Sequence, residues 1–476
     1  METQNQRTIK VLAAAFNAWN NAAILRESRA RNKNFTYGRQ LDDLVALPNG
    51  SVVTEREAII ASGKEPLTNN LIRQLVKTVV GKFRELNAER SKGAISEKLQ
   101  QFYSRHHLAE IDARAMEEFL LSGVCVQKVD VVRTLNSWEL GVQNVSPHKL
   151  FINAITQPTA SDCEIVGELH DMSIPEIILK LASHDRALAS RIRSIYNSNI
   201  NSRTDATRSL LGLDNSNGAE FWAARNGKCR VFEVWTRETR EVLQVHDYKD
   251  GTLRVVPLNE ASSVARMQQE RKRTGGAPVE YMWEVQQYWH CRWISPMGDL
   301  IAEYDSPFAH GMHPYAIKLY PLTDGEVHAF VEDIIDQQKY VNRLISLIDQ
   351  VMSNSAKGVL LYPTDALPFG MSWDEIRNRW NSPSGIIPFD PTSGTTPKQI
   401  SSNCSNIGAY ELLSLEMKLF DEISGVAGTM RGREVSSSMG AELYKQQQQN
   451  STVVLLDIFD TFAHFQQMRD SLIANV

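Results

Sequence analysis

The chain has 476 residues, of which 42% are hydrophobic and 22% are charged, and its formal net charge is −5. This composition is typical of a globular protein and argues against collagen-like, disordered and membrane-spanning classes. The mild acidic excess also argues against a protein whose whole surface binds nucleic acid, because such binding depends on Lys and Arg neutralising phosphates. Two stretches depart from this balance, since residues 1–40 and 64–105 each carry a net charge of +5.

The five cysteines are widely separated, and no two of them form a CxxC pair. This spacing fits neither a zinc finger nor a disulfide scaffold, so it indicates a reducing compartment. The N-terminus lacks the pattern of a signal peptide, and no apolar run approaches the roughly 18 residues that a membrane span needs. We therefore expect a protein that is made in the cytoplasm and has no membrane segment.

The first half of the chain reads as helices followed by strands. Apolar residues at helical spacing predict helices over 1–33, from about 66 onward, and over 96–121. Alternation then predicts strands at 124–129, 138–145, 164–170, 231–235 and 242–246, interrupted by a helix at 174–196. The stretch 197–228 is rich in Asn, Ser and Gly, which predicts an exposed excursion.

A basic helix over 258–274, ended by Gly275 and Gly276, precedes an aromatic hairpin in the sequence pattern. The hairpin strands are predicted at 279–293 and 299–304. Its aromatic residues are Tyr281, Trp283, Tyr288, Trp289 and Trp293. Such residues could stack on bases, but at alternate strand positions they more often fill a sheet core or a subunit contact.

The clearest predicted element is a helix over 327–353 with a single apolar stripe. The stripe consists of Val327, Phe330, Val331, Ile334, Ile335, Val341, Leu344, Ile345, Ile348, Val351 and Met352. Residues off the stripe are Glu332, Asp333, Asp336, Lys339, Asn342, Arg343 and Asp349. A rod of about 40 Å is long for a globular protein and usually packs beside similar rods. After it we predict a strand at 358–362, a Gly/Ser/Thr/Pro-rich stretch at 381–406, a helix at 407–423 and a Gln-rich helix from 439.

The sequence contains no recognisable catalytic motif. Residues 394–398 lack the second glycine and the Lys-Ser/Thr ending of a phosphate-binding loop, and neither a GxSxG nor a GxGxxG motif occurs. Adjacent histidines such as His106 and His107 point in different directions, which disfavours a metal site there. His310 and His313 are better explained by a turn with one hydrogen-bonded histidine. We therefore expect neither metal nor cofactor, and a structural protein in place of an enzyme.

Four segments, in chain order, are similar to motifs of one protein family. They read GKEPLTNNLI at 63–72 with VVGKFR at 79–84, VSPHKLF at 145–151, HPYA at 313–316 with DGE at 324–326 and DQQKYVN at 336–342, and AKG at 356–358. One departure is Asn153, where the family usually has Asp. Each motif is short, so their order carries the weight. On these residues the chain resembles the portal proteins of tailed bacteriophages, of the podovirus type.

The resemblance implies an α+β portal fold with an α/β wing, a two-helix stem, a β-rich clip and a helical crown. Such proteins assemble as rings of about twelve subunits. On this template we expect most of the wing at 1–257, the first stem helix at 258–276, the clip at 277–325, the second stem helix at 326–357, a wing return with channel loop and helix at 358–432, and the start of the crown at 433–476.

The resemblance also implies roles for particular side chains. The apolar stripe from Val327 to Ile348 would pack the stem, and the five aromatic residues of the hairpin would contact neighbouring subunits in the clip. A channel through which DNA slides should be acidic or neutral with a few basic rings, because each persistent Lys or Arg contact adds affinity. The candidates for these rings are Lys357, Lys398 and Arg431.

The expected function is a head-to-tail connector at one capsid vertex, through which double-stranded DNA is packaged and later ejected. The partners would be the terminase large subunit, a major capsid or scaffold protein, a head-tail adaptor and DNA bound without sequence preference, all in the virion. The two basic stretches would face the capsid, the scaffold or the packaged DNA, unless they only solvate helices. Two alternatives stay open: another ring component such as an adaptor, or a DNA-packaging enzyme.

Overall fold

The computed structural model describes most of the chain and divides it into two compact units. The described residues are 4–48, 50–61, 65–90, 97–133, 138–153, 156–197, 200–212, 218–224, 227–308, 310–357, 359–381, 386–394, 396–400, 408–426, 453 and 455–474. Unit 1 comprises Met1–Lys33, Val76–Glu332 and Thr452–Val476, and unit 2 comprises Asn34–Leu75 and Asp333–Ser451. Helices and strands are mixed in the described residues, which confirms the α+β class.

The described helices are α1 Gln4–Asn21, α2 Ala23–Thr36, α3 Glu55–Ala61, α4 Leu71–Arg90, α5 Glu97–Arg105, α6 Leu108–Ser122, α7 Ile174–Leu181, α8 Arg186–Asn197, α9 Ile200–Leu210, α10 Ala219–Trp222, α11 Ala261–Thr274, α12 Glu332–Lys357, α13 Trp373–Asn381, α14 Ala409–Ser424 and α15 Leu456–Ala474. None of them combines the length and apolarity that crossing a bilayer requires.

The described strands are β1 Leu44–Ala46, β2 Val52–Thr54, β3 Val124–Arg133, β4 Trp138–Asn144, β5 Leu150–Ile152, β6 Ile165–Met172, β7 Cys229–Asp247, β8 Thr252–Pro257, β9 Val279–Ile294, β10 Leu300–Asp305, β11 Tyr315–Leu319, β12 Leu322–Thr323, β13 Glu326–Val327, β14 Val359–Leu361 and β15 Lys398–Ile400. In unit 1 one sheet has the order β10-β9-β7-β6-β5, with β8 also on β7, and a second has the order β11-β3-β4. Every described strand pair is antiparallel.

Several predicted helices are broken where the backbone or the burial pattern changes. The helix expected over 1–33 is two helices, and Ile24, placed on its apolar face, is 75% exposed. The helix expected over 96–121 divides at His107, which has a left-handed backbone with φ of 51°. The helix expected over 174–196 is likewise divided into α7 and α8. Helical spacing predicted that these regions are helical, but it did not predict the breaks within them.

Helix α6 ends at Ser122, one residue beyond the predicted end at 121, and Gly123 follows it. Gly123 has φ of 66°, and its backbone N–H donates to the carbonyl of Phe119, as is common at a helix C-terminus. A Cβ at this position would lie 2.5 Å from Cγ1 of Val327, so there is no space for a side chain. The glycine is therefore required both by the backbone and by the close approach of Val327.

The interior of unit 1 consists of apolar clusters that involve the six-stranded sheet. One includes Val166, Val231 and Trp235 from its strands. Another is formed by Phe16 and Trp19 of α1 together with Phe221 of α10, among others. The stretch 197–228 was predicted to be an exposed excursion, and this is wrong for α10. The aromatic residues at 221 and 222 are buried in the cluster, which outweighs the polar composition around them.

Strand β7 corrects the prediction of two separate strands at 231–235 and 242–246. It is a single strand of 19 residues that pairs with β9 from Phe232 opposite Ile294 to Asp247 opposite Val279. The polar residues between the two predicted strands stay in register, because the partner strand supplies their backbone hydrogen bonds. The predicted hairpin around 295–298 is confirmed as the β9–β10 connection.

Helix α12 begins at Glu332, five residues later than the start predicted at 327. Val327 belongs instead to the β12–β13 hairpin, whose two connecting residues are Asp324 and Gly325. Both have positive φ, 51° and 84°, which is the backbone of a type I′ turn and explains the Asp-Gly sequence. The C-terminal Gln-rich helix is confirmed only as α15, because residues 427–450 lie outside the described part of the chain.

Candidate subunit-interface and channel residues

Two of the four motifs meet at the N-terminus of α4 in unit 2. The first amides of a helix have no partner within it and need an acceptor from elsewhere. The side-chain oxygen of Gln338, in α12, accepts hydrogen bonds from the N–H groups of Leu71 at 2.9 Å and Ile72 at 3.3 Å. Asn70 completes the cap, since its Oδ1 accepts from the N–H of Arg73 at 3.0 Å.

Asn342, one turn beyond Gln338, continues this arrangement. Its Oδ1 accepts from the N–H of Asn69 at 3.0 Å and from Nε2 of Gln338 at 3.1 Å. Its Nδ2 donates to Oε1 of Gln40 at 2.7 Å, and Nε2 of Gln40 donates to the carbonyl of Phe35 at 3.0 Å. We call Gln40, Gln338 and Asn342 the amide network; all three side chains are buried.

Ion pairs lie on the same face of α12, beside the amide network. Lys339 pairs with Asp43, and Nζ of Lys339 lies 5.3 Å from the centre of the Phe35 ring. Arg343 lies 3.6 Å from Oε1 of Glu55. These contacts connect α12 to the segment that precedes α4, so the two motifs form a single structural element of unit 2.

The sequence missed the role of the amide network. Asn342 was placed off the apolar stripe, but it is only 4% exposed. Gln338 and Asn342 are four residues apart and therefore lie on one face of the helix. The available signal was this spacing of two amides inside a motif; their partners, about 270 residues earlier in the chain, are invisible to local periodicity.

The predicted stem stripe is mostly buried in the first half of α12 and more exposed in the second half. Val331, Ile334, Ile335, Val341 and Leu344 are buried, whereas Val327, Phe330, Ile345 and Ile348 are partly exposed. Near the end of the helix Leu347 is 46% exposed and Met352 is 57% exposed. The apolar surface of α12 therefore extends beyond what this chain covers in the described residues.

Helix α14 has the same character and is linked to α12 by a small β-segment. Strand β14 follows α12 and pairs with β15, which precedes α14, so the order is helix, two-stranded sheet, helix. The hydroxyl of Tyr410 in α14 lies 3.2 Å from Sδ of Met352. Leu415 and Ile423 of α14 are 51% and 45% exposed.

The structure describes the positions of two of the three basic channel candidates. Lys398 is exposed on β15, opposite Leu361 of β14. Lys357 is the last residue of α12. Arg431 lies outside the described residues.

The five aromatic candidates separate into two groups along β9. Trp289 and Trp293 are buried: Trp289 contacts the His313 ring edge-on at 4.7 Å, and Trp293 stacks on His170 at 5.2 Å. Tyr288 is partly exposed and donates to Glu238 at 3.2 Å. Tyr281 and Trp283 are 42% and 55% exposed. Tyr281 and Trp283 are therefore the most exposed of the five.

The histidine motif HPYA acts as a structural turn. Nδ1 of His313 accepts a hydrogen bond from the N–H of Tyr315 at 3.3 Å, at the start of β11. Burial, with the nearby His310 as a smaller contribution, lowers the pKa of His313 to about 4. The ring is therefore neutral at pH 7. In the described part of the chain, no group of three or more metal-ligating side chains is found.

Comparison with known proteins agrees with the motifs. No curated protein matches the chain. The family described as phage P22-like portal protein matches residues 13–469, which is nearly the whole sequence and includes the amide network and all four motifs. The match is to a structural family, not an enzyme family. The chain therefore belongs to the phage P22-like portal proteins, the head-to-tail connectors of bacteriophage virions.

Proposed function

We propose that this chain forms a ring of about twelve subunits that encloses a DNA channel at one capsid vertex. Double-stranded DNA would enter through the ring, driven by the terminase large subunit, and leave through it at ejection. A head-tail adaptor and a capsid or scaffold protein would bind its outer surfaces. The exposed apolar side chains of α12 and α14 carry this proposal, because a ring supplies neighbours that would cover them.

We also propose a revised assignment of stem and clip. The template expected stem helices at 258–276 and 326–357 with the clip at 277–325. However, α11 lies in unit 1, where Val264 packs with Leu243, Val245 and Val279 of the adjoining sheet. Within unit 2, α12 and α14 flank the β14–β15 segment. In this assignment α12 and α14 are the stem helices, the residues between them are the clip, and most of unit 1 is the wing.

Imaging of the assembled particle tests the ring. We expect class averages of the purified chain to show a closed ring with a central hole wide enough for duplex DNA. Leu347→Asp should reduce ring formation at least tenfold, because a buried unpaired carboxylate is costly at a contact between helices. Leu179→Asp is the control, since Leu179 is 68% exposed on α7 in unit 1.

Two results would contradict the proposal. One is a monomer or a compact dimer of the unmodified chain at concentrations where portals assemble. The other is strong ATP hydrolysis stimulated by DNA, which would favour a packaging enzyme. A closed assembly of clearly different subunit number, without a hole wide enough for duplex DNA, counts with the first result and would favour another connector component.

Lys398 is the best channel candidate among the described residues, because it is exposed on the proposed clip. With Lys398→Glu we expect a change in DNA packaging or ejection, and a weaker dependence of DNA retention on salt, because a cationic contact with phosphate is lost. Lys249→Glu, in the β7–β8 turn of unit 1, is the control of equal charge change. Unchanged packaging and ejection by the Lys398 variant would remove this residue from the channel.

A further inference from the structure

Strand β9 changes its surroundings along its length. From His290 to Ile294 it lies between β7 and β10. From Glu280 to Tyr288 it pairs only with β7, and no other described strand occupies its second side. The unpaired part carries exposed apolar side chains: Tyr281, Met282, Trp283 and Val285, which are 42%, 63%, 55% and 47% exposed. A long apolar edge of this kind is a template for pairing with another strand.

Strand β8 forms the opposite edge of the same three strands. It pairs with β7 from Val242 opposite Pro257 to Asp247 opposite Thr252, and its other side has no strand partner within the described residues. Leu253 and Val255 on it are 62% and 47% exposed. The two open edges therefore lie on either side of β7, and both carry exposed apolar side chains.

The two edges are complementary in direction and in face. Both β8 and β9 are antiparallel to β7, so they run parallel to each other. Opposed residues of paired strands lie on the same face of a sheet. Val255 and Met282 both face Gln244 of β7, so both lie on the face away from the α11 cluster, while Trp283 faces Leu243 of that cluster.

The edges also differ in charge. Strand β8 contains one cation, Arg254, and no acidic residue, whereas β9 from 280 to 285 contains Glu280 and Glu284 and no cation. Arg254 is opposite Val245, on the face of the α11 cluster, whereas Glu280 and Glu284 are opposite His246 and Val242, on the other face, so a joined sheet would keep these charges on different faces. Pairing of β9 with β9 would instead place two acidic edges side by side, and like charges beside each other are destabilising. Charge of this kind selects between partners and between orientations.

From these observations we infer that the β8 edge of one copy pairs in parallel with the β9 edge of the next copy, so that one sheet continues from subunit to subunit. This contact is head-to-tail, since it uses two different surfaces of each chain, and repeated contacts of this type close into a ring. The inference rests on the proposed ring, but it names the strands that join neighbouring subunits in unit 1.

Cysteine cross-linking tests whether β8 of one subunit and β9 of the next are adjacent, with the expected residues on the same face of the sheet. The background chain carries Cys404→Ser. Val255→Cys and Met282→Cys are introduced together, because both positions are exposed and the substitutions should not disturb the fold. The assembled rings are then treated with a short bismaleimide. We expect a ladder of cross-linked species up to the full ring, with about tenfold more product than from either single variant, because only neighbouring side chains on one face come close enough. Val255→Cys with Trp283→Cys is the matched control, since these residues lie on opposite faces.

Each other outcome overturns the inference in a different way. Intact rings whose double variant cross-links no more than the single variants would reject strand pairing while leaving the portal function in place. Dimers from Met282→Cys alone would show a symmetric β9–β9 contact. Cross-linking of Met282→Cys to a different virion protein would show that the edge binds that protein instead. Absence of rings together with absence of the ladder would reject both the inference and the proposed function.

Discussion

The two units of the chain each bury a polar network, but one network is charged and the other is neutral. In unit 1, Nζ of Lys128 lies 2.6 Å from both carboxylate oxygens of Glu233, and the two side chains are 5% and 1% exposed. Trp235 donates to Glu233 at 2.9 Å, and Nε2 of His170 lies 2.8 Å from it. We call these four residues the charged network. Unit 2 contains the amide network.

The difference shows what each network depends on. A buried carboxylate is stable only while its partner cation remains. An amide carries no charge, so it needs hydrogen-bond partners but no cation. Burial works to raise the pKa of Glu233, but Lys128 and His170 hold it well below its usual range. Burial works to lower the pKa of Lys128, but the carboxylates of Glu233, Asp130 and Glu168 together raise it. The charged network is therefore sensitive to pH, and the amide network is not.

The largest effect is expected for removal of one charge. Glu233→Gln leaves the Lys128 ammonium buried without its carboxylate, which should cost about 3–5 kcal/mol of unfolding free energy. Urea unfolding at one fixed protein concentration measures this loss, since oligomerisation shifts apparent stability. Hydrogen exchange should show the opening in β3 and β7 and leave α12 protected, because the network lies in unit 1.

Two further variants separate charge from packing. Replacing Lys128 and Glu233 together by Met should recover most of the loss, because apolar residues often replace a buried ion pair without cost. Glu110→Gln is the surface control: it removes an ion pair with Arg114 in which both side chains are more than half exposed, and should cost less than about 1 kcal/mol. Equal losses at Glu233 and Glu110 would contradict the interpretation.

A smaller effect is expected in the amide network. Gln338→Ala removes the side-chain acceptor shared by the N–H groups of Leu71 and Ile72. The N–H of Leu71 keeps the carbonyl of Asn69 at 3.1 Å, so the loss falls mainly on the buried amide of Ile72 and should cost about 1–3 kcal/mol. Hydrogen exchange should become faster at the start of α4 in unit 2. Gln337→Ala is the control, since it is the same residue type one position earlier and makes neither of these bonds. An Ala at 337 that destabilises as much as one at 338 would argue against the capping role.

Periodicity predicted the long helices and strands of this fold. Where these elements end and what they contact depends on partners distant in the chain. The apolar series of α4 and α12 was sufficient to predict two long helices. The alternation of β9 was sufficient to predict a strand. By contrast, β7 was predicted as two strands because its middle, from Thr236 to Glu241, is polar; it continues because β9 pairs with it along its whole length.

The candidate site followed the same rule. The motifs around 66–72 and 336–342 could be recognised in the sequence, but their hydrogen bonds could not, because the partners of Gln338 and Asn342 lie far away in the chain. The predicted stem helix at 258–276 exists as a helix, yet its contacts are with β7 and β9. A helix can be predicted from its own residues, whereas the surface on which it packs is set by residues elsewhere.

The smallest expected effect is the pH dependence that separates the two networks. Because the folded pKa of Glu233 is below its ordinary value of 4.5, the stabilisation it gives is complete above pH 4.5 and is lost as the pH falls toward the folded value. The difference in unfolding free energy between the unmodified chain and Glu233→Gln should therefore shrink below pH 4.5, by up to about 1.4 kcal/mol per pH unit. The difference for Gln338→Ala should stay constant, because amides do not titrate. A Gln338→Ala difference that also shrinks in acid would mean that the amide network depends on a titrating group, and the comparison between the two units would fail.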